Sequence, residues 1–402
     1  MANTADITLT NALAATIGDY LGRESDTKFD TMRATPYLRL LKERGRVFES
    51  DIFKVGSNIF DQPFGSSTYV DSLTVSATNE FIKMPTYYEY NFGGVQKKII
   101  LTKEQVRLLK ETLNIVKDGG LKDKKRSGFI RKNIRNLREK TFLGHIRQMF
   151  MDMNTSLINT TAGCNAKALD DVIDPVTGPN ATFASSAVDL TALDVKVNQP
   201  LWVKASGGTG ATGLGATLTG GTMNYANSLM WLSEMQEVQS FRNGGDYNVL
   251  LVSPKVRRVL AHLAENRIQY QLDPRVSLEK IDPKTLIGKG GIPLDSYKSL
   301  VVVNGLPVVA DPAVNDNYWW VLNTDCIELS TFDDQAMLDE YYVKDSPVMT
   351  EEAMIRVFAR MCATTTSRWS DEAIVAMMGY YQQSFNDFSG IGLIVMDATS
   401  TT

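Results

Sequence analysis

The sequence predicts an α+β fold, with strands and helices grouped along the chain instead of strictly alternating. Three stretches carry this reading. Residues 66–101 are enriched in Thr, Tyr, Val, Ile and Phe, the composition of strands. Residues 127–158 contain no proline and repeat their apolar residues at helical spacing. Residues 244–263, GGDYNVLLVSPKVRRVLAHL, join a glycine turn to an apolar run and then to a basic, periodic segment.

Taken in order, residues 1–50 mix short helical patterns with turns, and YLRLLKERGRVFES reads as a helix stopped at Gly45. A loosely attached arm reaching to residue 65 is expected. The strand-rich run that follows has a bend at Pro85 and a break at Gly93-Gly94. A two-stranded ribbon is marginal in water by itself, so this one needs a support, and a neighbouring subunit is one candidate. Thr102 stands three residues before Gln105, a capping box, ahead of Val106, Leu109, Leu113 and Val116; Gly119-Gly120 supplies the stop. In the long helix the apolar stripe runs through Ile130, Ile134 and Leu137, then resumes at Leu143, Ile146, Phe150, Met153 and Leu157. The stripe shifts by about a third of a turn between its halves, so they are expected to pack against different partners.

Residues 163–222 are rich in Gly, Thr, Ala and Asn and poor in periodicity. They are expected to form long loops or small strands. A helix is expected over residues 224–238 through Leu229, Leu232 and Met235. In the 244–263 unit, Tyr247 to Val252 reads as a strand buried on both faces. Ser253 can cap the helix that follows, Pro254 suits its first position, and Val256, Val259, Leu260 and Leu263 share one face. Asn304-Gly305, between two β-branched runs, is a strong signal for a two-residue hairpin turn. YWWVLN and CIELSTF extend the strand series, and residues 355–362 alternate with period two.

Composition excludes several classes. The chain has 402 residues, 43% hydrophobic and 22% charged, with a formal charge of −4. That is ordinary for a globular protein with a sizeable core. Cys164, Cys326 and Cys362 lie far apart with no CxxC spacing, so neither a zinc site nor a disulfide framework is expected. MANTADITLT lacks the basic start and apolar core of a signal peptide, and no apolar run reaches the roughly 20 residues of a membrane helix.

Enzymatic chemistry finds little purchase. There is no GxSxG elbow, no HExxH and no Walker loop, and the only histidines, His145 and His262, have no accompanying nucleophile motif. Gly208-Thr-Gly210-Ala-Thr-Gly213 is a formal GxGxxG with Glu234 about 20 residues on, but Gly220-Gly221 interrupts where the phosphate-binding helix must begin. No catalytic, cofactor-binding or metal residue is assigned. One constellation survives. Residues 122–147 hold ten Lys or Arg against Asp123 and Glu139, a local +8 that leaves −12 for the rest of the chain. Lys124, Lys125, Arg131, Lys132, Arg135 and Arg138 could face a polyanion, an acidic surface on a neighbouring copy, or simply solvent. Few aromatics interleave, so any nucleic-acid contact would be to phosphate without sequence preference.

An N-terminal arm, a strand-rich excursion, a long helix and a later α/β unit with strands returning at the end resemble the major capsid protein of tailed phages, the Hong Kong 97-type coat fold. The resemblance covers about residues 50–385 and rests on GGDYNVLLVSPKVRRVL and NGLPVVADPAVNDNYWWVLN. It implies an arm at 1–65 and an extended loop at 66–101 that lies across the adjacent subunit. A peripheral domain with its spine helix would occupy 102–162, the inserted element 163–222 and an axial domain 223–345. Residues 346–402 would return to the peripheral domain and end in a tail. Loop residues Tyr69, Val75, Phe81, Lys83, Tyr87 and Tyr90 would touch the neighbouring subunit, and the basic helix would face the interior or a neighbour. Some family members join a loop lysine covalently to an asparagine; Lys83 lies in the right region, with no partner identified. The implied partners are copies of the chain in hexamers and pentamers, a scaffolding protein, a portal, packaged double-stranded DNA and a decoration protein on residues 163–222. The implied location is the virion capsid, assembled in the host bacterial cytoplasm. An encapsulin shell, a nucleotide-dependent enzyme and a tail or portal component are the alternatives.

Overall fold

The computed structural model describes residues 35–42, 46–48, 54–59, 86–101, 143–183, 188–193, 197–204, 225–261, 301–332, 356–362 and 372–396. Two larger sheets organise them.

The six-stranded sheet has the order β7 (Leu201–Lys204), β15 (Ile391–Val395), β11 (Tyr318–Leu322), β8 (Val249–Val252), β10 (Leu306–Ala310), β9 (Val302–Val303). Its inner strands are buried on both faces, which is why VLLV and IGLIV read as unbroken apolar runs. On one face Leu250, Val252, Trp319, Val321 and Ile394 pack against Leu229, Leu232 and Met235 of a helix at Tyr225–Gln239, and against Val256 and Leu260 of a helix over residues 254–261. Alternate residues Val249, Leu251, Trp320, Leu322 and Leu393 enter the main core on the other face. Within 244–263 the described residues form a strand at Val249–Val252, shorter than the predicted Tyr247–Val252, and a helix over residues 254–261: the Ser253 hydroxyl accepts from Val256 N at 3.3 Å, and Arg257 N donates to Ser253 O at 3.0 Å. Asn304 (φ 49°) and Gly305 (φ 80°) turn the β9–β10 hairpin, both left-handed as a type I′ turn requires.

The five-stranded sheet is built on the 14-residue strand β14 (Glu372–Phe385). Residues 372–378 pair with β13 (Arg356–Cys362), residues 373–381 with β4 (Gly93–Leu101), and residues 381–385 with β12 (Ile327–Phe332). A strand has two edges. The overlapping registers therefore put β12 and β13 in succession along one edge and β4 along the other, while β1 (Arg46–Phe48) extends β12 in parallel. A helix at Leu143–Ile158 packs beside this sheet through Ile146, Met149, Phe150, Met153 and Leu157, the second half of the predicted stripe. The capping-box helix at Thr102 and the long helix before residue 143 lie outside the described residues.

Several expectations are corrected. The arm is not loosely attached where it is described: α1 (Pro36–Lys42) buries Tyr37, Leu38, Leu40 and Leu41, all at 2% exposure or less. The described residues of 163–204 form turns and short strands, as expected, but they are not confined to the surface. Leu169, Val172, Ile173, Phe183, Leu190 and Trp202 belong to the main core, held by short turns and Asx caps whose burial leaves no periodic trace in sequence. β12 pairs in the five-stranded sheet although it falls within the predicted axial range, whereas β7 and β15, from outside that range, complete the six-stranded sheet. The break expected at Gly93-Gly94 falls at buried Phe92, between β3, which ends at Asn91, and β4, which Gly93 and Gly94 open. Glycine is needed at 93 because a Cβ there would stand 2.5 Å from Ala166 Cβ and 2.7 Å from Ala166 N.

Candidate inter-subunit surfaces and their anchorage

Strand β3 (Thr86–Asn91) pairs antiparallel with β2 (Lys54–Ile59), placing Tyr90 opposite Val55 and Tyr87 opposite Asn58. Period two sends neighbouring tyrosines to opposite faces. Tyr87 is 61% exposed, whereas Tyr88 is 1% exposed. The Tyr88 hydroxyl donates to Phe385 O at 2.6 Å, and its ring sits 5.8 Å from Phe183 and 6.0 Å from Phe388. Lys54 and Glu89 pair at 3.1 Å across the exposed side. Tyr69, Val75, Phe81 and Lys83 lie outside the described residues. The predicted loop is thus shorter than 66–101: its last 16 residues are strands bound to their own chain, because KVGSNI, a weak strand by composition, supplies β3's partner and β14 supplies β4's.

The basic cluster Lys124, Lys125, Arg131, Lys132, Arg135 and Arg138 also lies outside the described residues. At the start of the Leu143–Ile158 helix (α2), His145 is held below its ordinary range by partial burial and by Lys97 of β4.

The described core holds a polar brace that no motif announced. The carboxylate of Asp311, 0% exposed, accepts from Tyr37 N at 3.0 Å, Ala313 N at 2.9 Å, and Asn154 Nδ2 at 2.9 and 3.0 Å. Asn154 Oδ1 in turn accepts from Leu38 N at 2.9 Å. Two side chains remote in sequence therefore cap the first turn of α1, whose N–H groups would otherwise be buried without acceptors. Burial pushes the Asp311 carboxyl up, and these donors partly offset the rise. The Tyr37 hydroxyl donates to Gln383 Oε1 at 2.9 Å, and Gln383 Nε2 donates to Leu157 O and Lys167 O. One seven-residue helix is thereby tied to both sheets and to α2.

The two sheets are joined by two antiparallel connections, Asn323–Cys326 between β11 and β12 and Asn386–Gly390 between β14 and β15. Each is a 3-10 turn capped by its own Asx side chain, Asn323 on Asp325 N and Asp387 on Ser389 N. They cross-bond: Asn323 N donates to Gly390 O at 2.7 Å and Asn386 N to Cys326 O at 2.9 Å. Gly244 threads between them, its N–H donating to Ser389 Oγ at 2.7 Å and its carbonyl accepting from Asn323 Nδ2 at 2.6 Å.

Asp170 heads α3 (Leu169–Val172) beside Asp171 and Asp174; burial and these neighbours push its pKa up to about 7. Between the ordinary value of 3.8 and about 7 the native chain holds a proton that the unfolded chain has lost, so this group's contribution falls as pH rises through that window. Asp170→Asn is therefore expected to raise the melting temperature at pH 8 and to have less effect at pH 4. An equal shift at both pH values would contradict this.

Among the described residues no set of three or more His, Cys, Asp or Glu is placed to hold a metal ion, and no helix is long and apolar enough to cross a membrane.

No family model and no curated protein matches the sequence. Solved structures do. The cyanophage A-1(L) capsid asymmetric unit matches with a TM-score of 0.53 at 13% identity, covering 90% of this chain and 92% of that one. The capsid of a native GTA particle gives 0.44 at 10% identity, covering 90% of each chain. An encapsulin complex from Synechococcus elongatus PCC 7942 gives 0.43 at 12% identity, covering 91% and 90%. The first match shows that the chain has the fold of a phage capsid subunit.

Proposed function

We propose that this chain, with the fold of a phage capsid subunit, is the major capsid protein of a tailed phage, assembling copies of itself into an icosahedral shell around double-stranded DNA. The observation that carries the reading is the correspondence with the cyanophage capsid over nine-tenths of both chains. The work of such a protein is structural and not catalytic. Closed symmetry repeats one set of interfaces, each burying on the order of 2,000 to 5,000 Å², and so builds a container from one chain.

In this reading the chain forms hexamers and pentamers in the host cytoplasm with a scaffolding protein and a portal, and ends in the virion. The segment between Ile59 and Thr86 reaches the adjacent subunit, with Tyr69, Val75, Phe81, Lys83 and Tyr87 as contacts. Tyr90 stands at the ribbon's anchored end. The basic cluster lies toward the packaged DNA or a subunit contact. Any decoration protein would use the exposed residues of 163–222, Val176 among them.

The test is electron cryo-microscopy of particles containing the chain, made with its scaffold. DNA-filled icosahedral shells support the proposal; shells filled with protein cargo point to an encapsulin, and monomers or small rings contradict both. Deleting residues 62–83 is expected to leave folded subunits that do not close shells, because β2, β3 and β4 remain. Normal shells from that deletion would remove the loop from assembly. Reversing Lys124, Lys125, Arg131, Lys132, Arg135 and Arg138 to Glu is expected to reduce assembly or the packaged genome length; an unchanged result in both would remove the cluster from either role.

A further inference from the structure

The helix at Tyr225–Gln239, α4, presents a stripe that its own chain leaves partly exposed. Its inward side, Leu229, Trp231, Leu232 and Met235, is buried on the six-stranded sheet. The opposite side is Met230, half-buried Glu234, and Glu237, at the i, i+4, i+7 spacing of a helix-packing face, with Phe241 in the turn two residues past the last helical residue. Met230 is 57% exposed and Phe241 is 74% exposed, with the two carboxylates between them in sequence. The stripe is held rigidly. Asn304 Nδ2 donates to Leu229 O at 3.2 Å and Ser233 Oγ at 2.8 Å, and Gln236 Nε2 donates to Asn304 O at 3.0 Å.

The helix over residues 254–261, α5, packs on the same face of that sheet and has the opposite charge. It carries Lys255, Arg257 and Arg258 and no acid, whereas α4 carries Glu234 and Glu237 and no base. Lys255 lies 3.6 Å from Asp316 in its own chain, and Arg258 points to solvent.

We propose that the Met230–Glu237–Phe241 stripe of one copy docks on the basic outer side of α5 of the next copy, Arg258 foremost. Charge selects this occupant. An α4–α4 contact would oppose carboxylates to carboxylates, whereas α4 on α5 pairs opposite signs and buries both apolar ends. The contact is heterologous, so repetition gives a ring where its rotation closes and a filament where it does not. This rests on the capsid reading, where it would hold subunits together within a capsomer.

The test is a charge swap read by assembly with the scaffold present. Phe241→Ser, Glu237→Lys and Arg258→Glu are each expected to cut the assembled fraction at least about tenfold while leaving the melting temperature of soluble subunits unchanged. The double variant Glu237→Lys/Arg258→Glu should recover most of it. Single variants that assemble like the parent, or a double variant no better than either single, would overturn the pairing while leaving the capsid reading intact. Failure of the parent to form shells sinks the capsid reading instead. The pairing is then decided by disulfide formation between a Glu237→Cys chain and an Arg258→Cys chain: yields above those of either chain alone support it, and equal yields overturn it.

Discussion

Asp311→Ala is expected to destabilise the subunit by about 3 to 5 kcal/mol and to free the N-terminal arm for proteolysis. The carboxylate is fully buried and takes hydrogen bonds from Tyr37 N, Ala313 N and Asn154 Nδ2. Alanine leaves all of these donors in an interior that water does not reach, at about 1 to 3 kcal/mol for each group left unsatisfied. The seven residues of α1 are too few to remain helical without tertiary support. Its loss would also uncover Leu38, Leu40 and Leu41, which are buried at 2% exposure or less. Denaturant unfolding and limited proteolysis of residues 36–42 measure both effects; parental stability with a protected arm would show that the brace is dispensable. Asp311→Asn should cost less, because one acceptor oxygen remains and the burial that raises the Asp311 pKa no longer penalises a charge.

Gly244→Ala is expected to cost a similar amount, about 3 to 5 kcal/mol, for a steric reason. A Cβ at 244 would fall on the backbone nitrogen of Gly390 and on Ser389 Oγ, 2.9 Å from Gly390 Cα. Backbone cannot rotate aside as a side-chain tip can. The two connections between the sheets would have to separate, loosening the bonds from Gly244 to Ser389 and Asn323. Gly305→Ala is the control: a Cβ there meets nothing within 4 Å, so only its positive φ opposes the change, at about 1 kcal/mol. Equal losses of stability in the two variants would show that crowding at the junction is not the cause.

The elements that could be read from sequence are those whose signal is local. The Asn304-Gly305 turn and the Ser253 cap with Pro254 formed where the sequence places them, β8 starts two residues later than its predicted start, and α4 differs from its predicted span by a residue at either end. The α+β class and the coat fold were legible too, because the order of such elements is itself a pattern. Strand β14 was not. Its Gln382 and Gln383 look like surface residues, yet both are 0% exposed and bond Asn91 O, Leu157 O and Lys167 O, acceptors distant in sequence. Of the contact residues only Tyr87 has a described side chain, and its exposure agrees with the alternation that buries Tyr88.

By itself, then, the sequence determined the turns, the caps, the doubly buried strands and the type of fold, since each depends on residues within a few positions of one another. Tertiary structure alone decided which sheet each strand enters, that Leu169, Val172, Ile173, Phe183, Leu190 and Trp202 belong to the core, and that α1 is clamped by Asp311, 274 residues from the Tyr37 amide it accepts from. A buried polar group is satisfied by whichever partner the fold delivers to it, and neither composition nor periodicity records that partner.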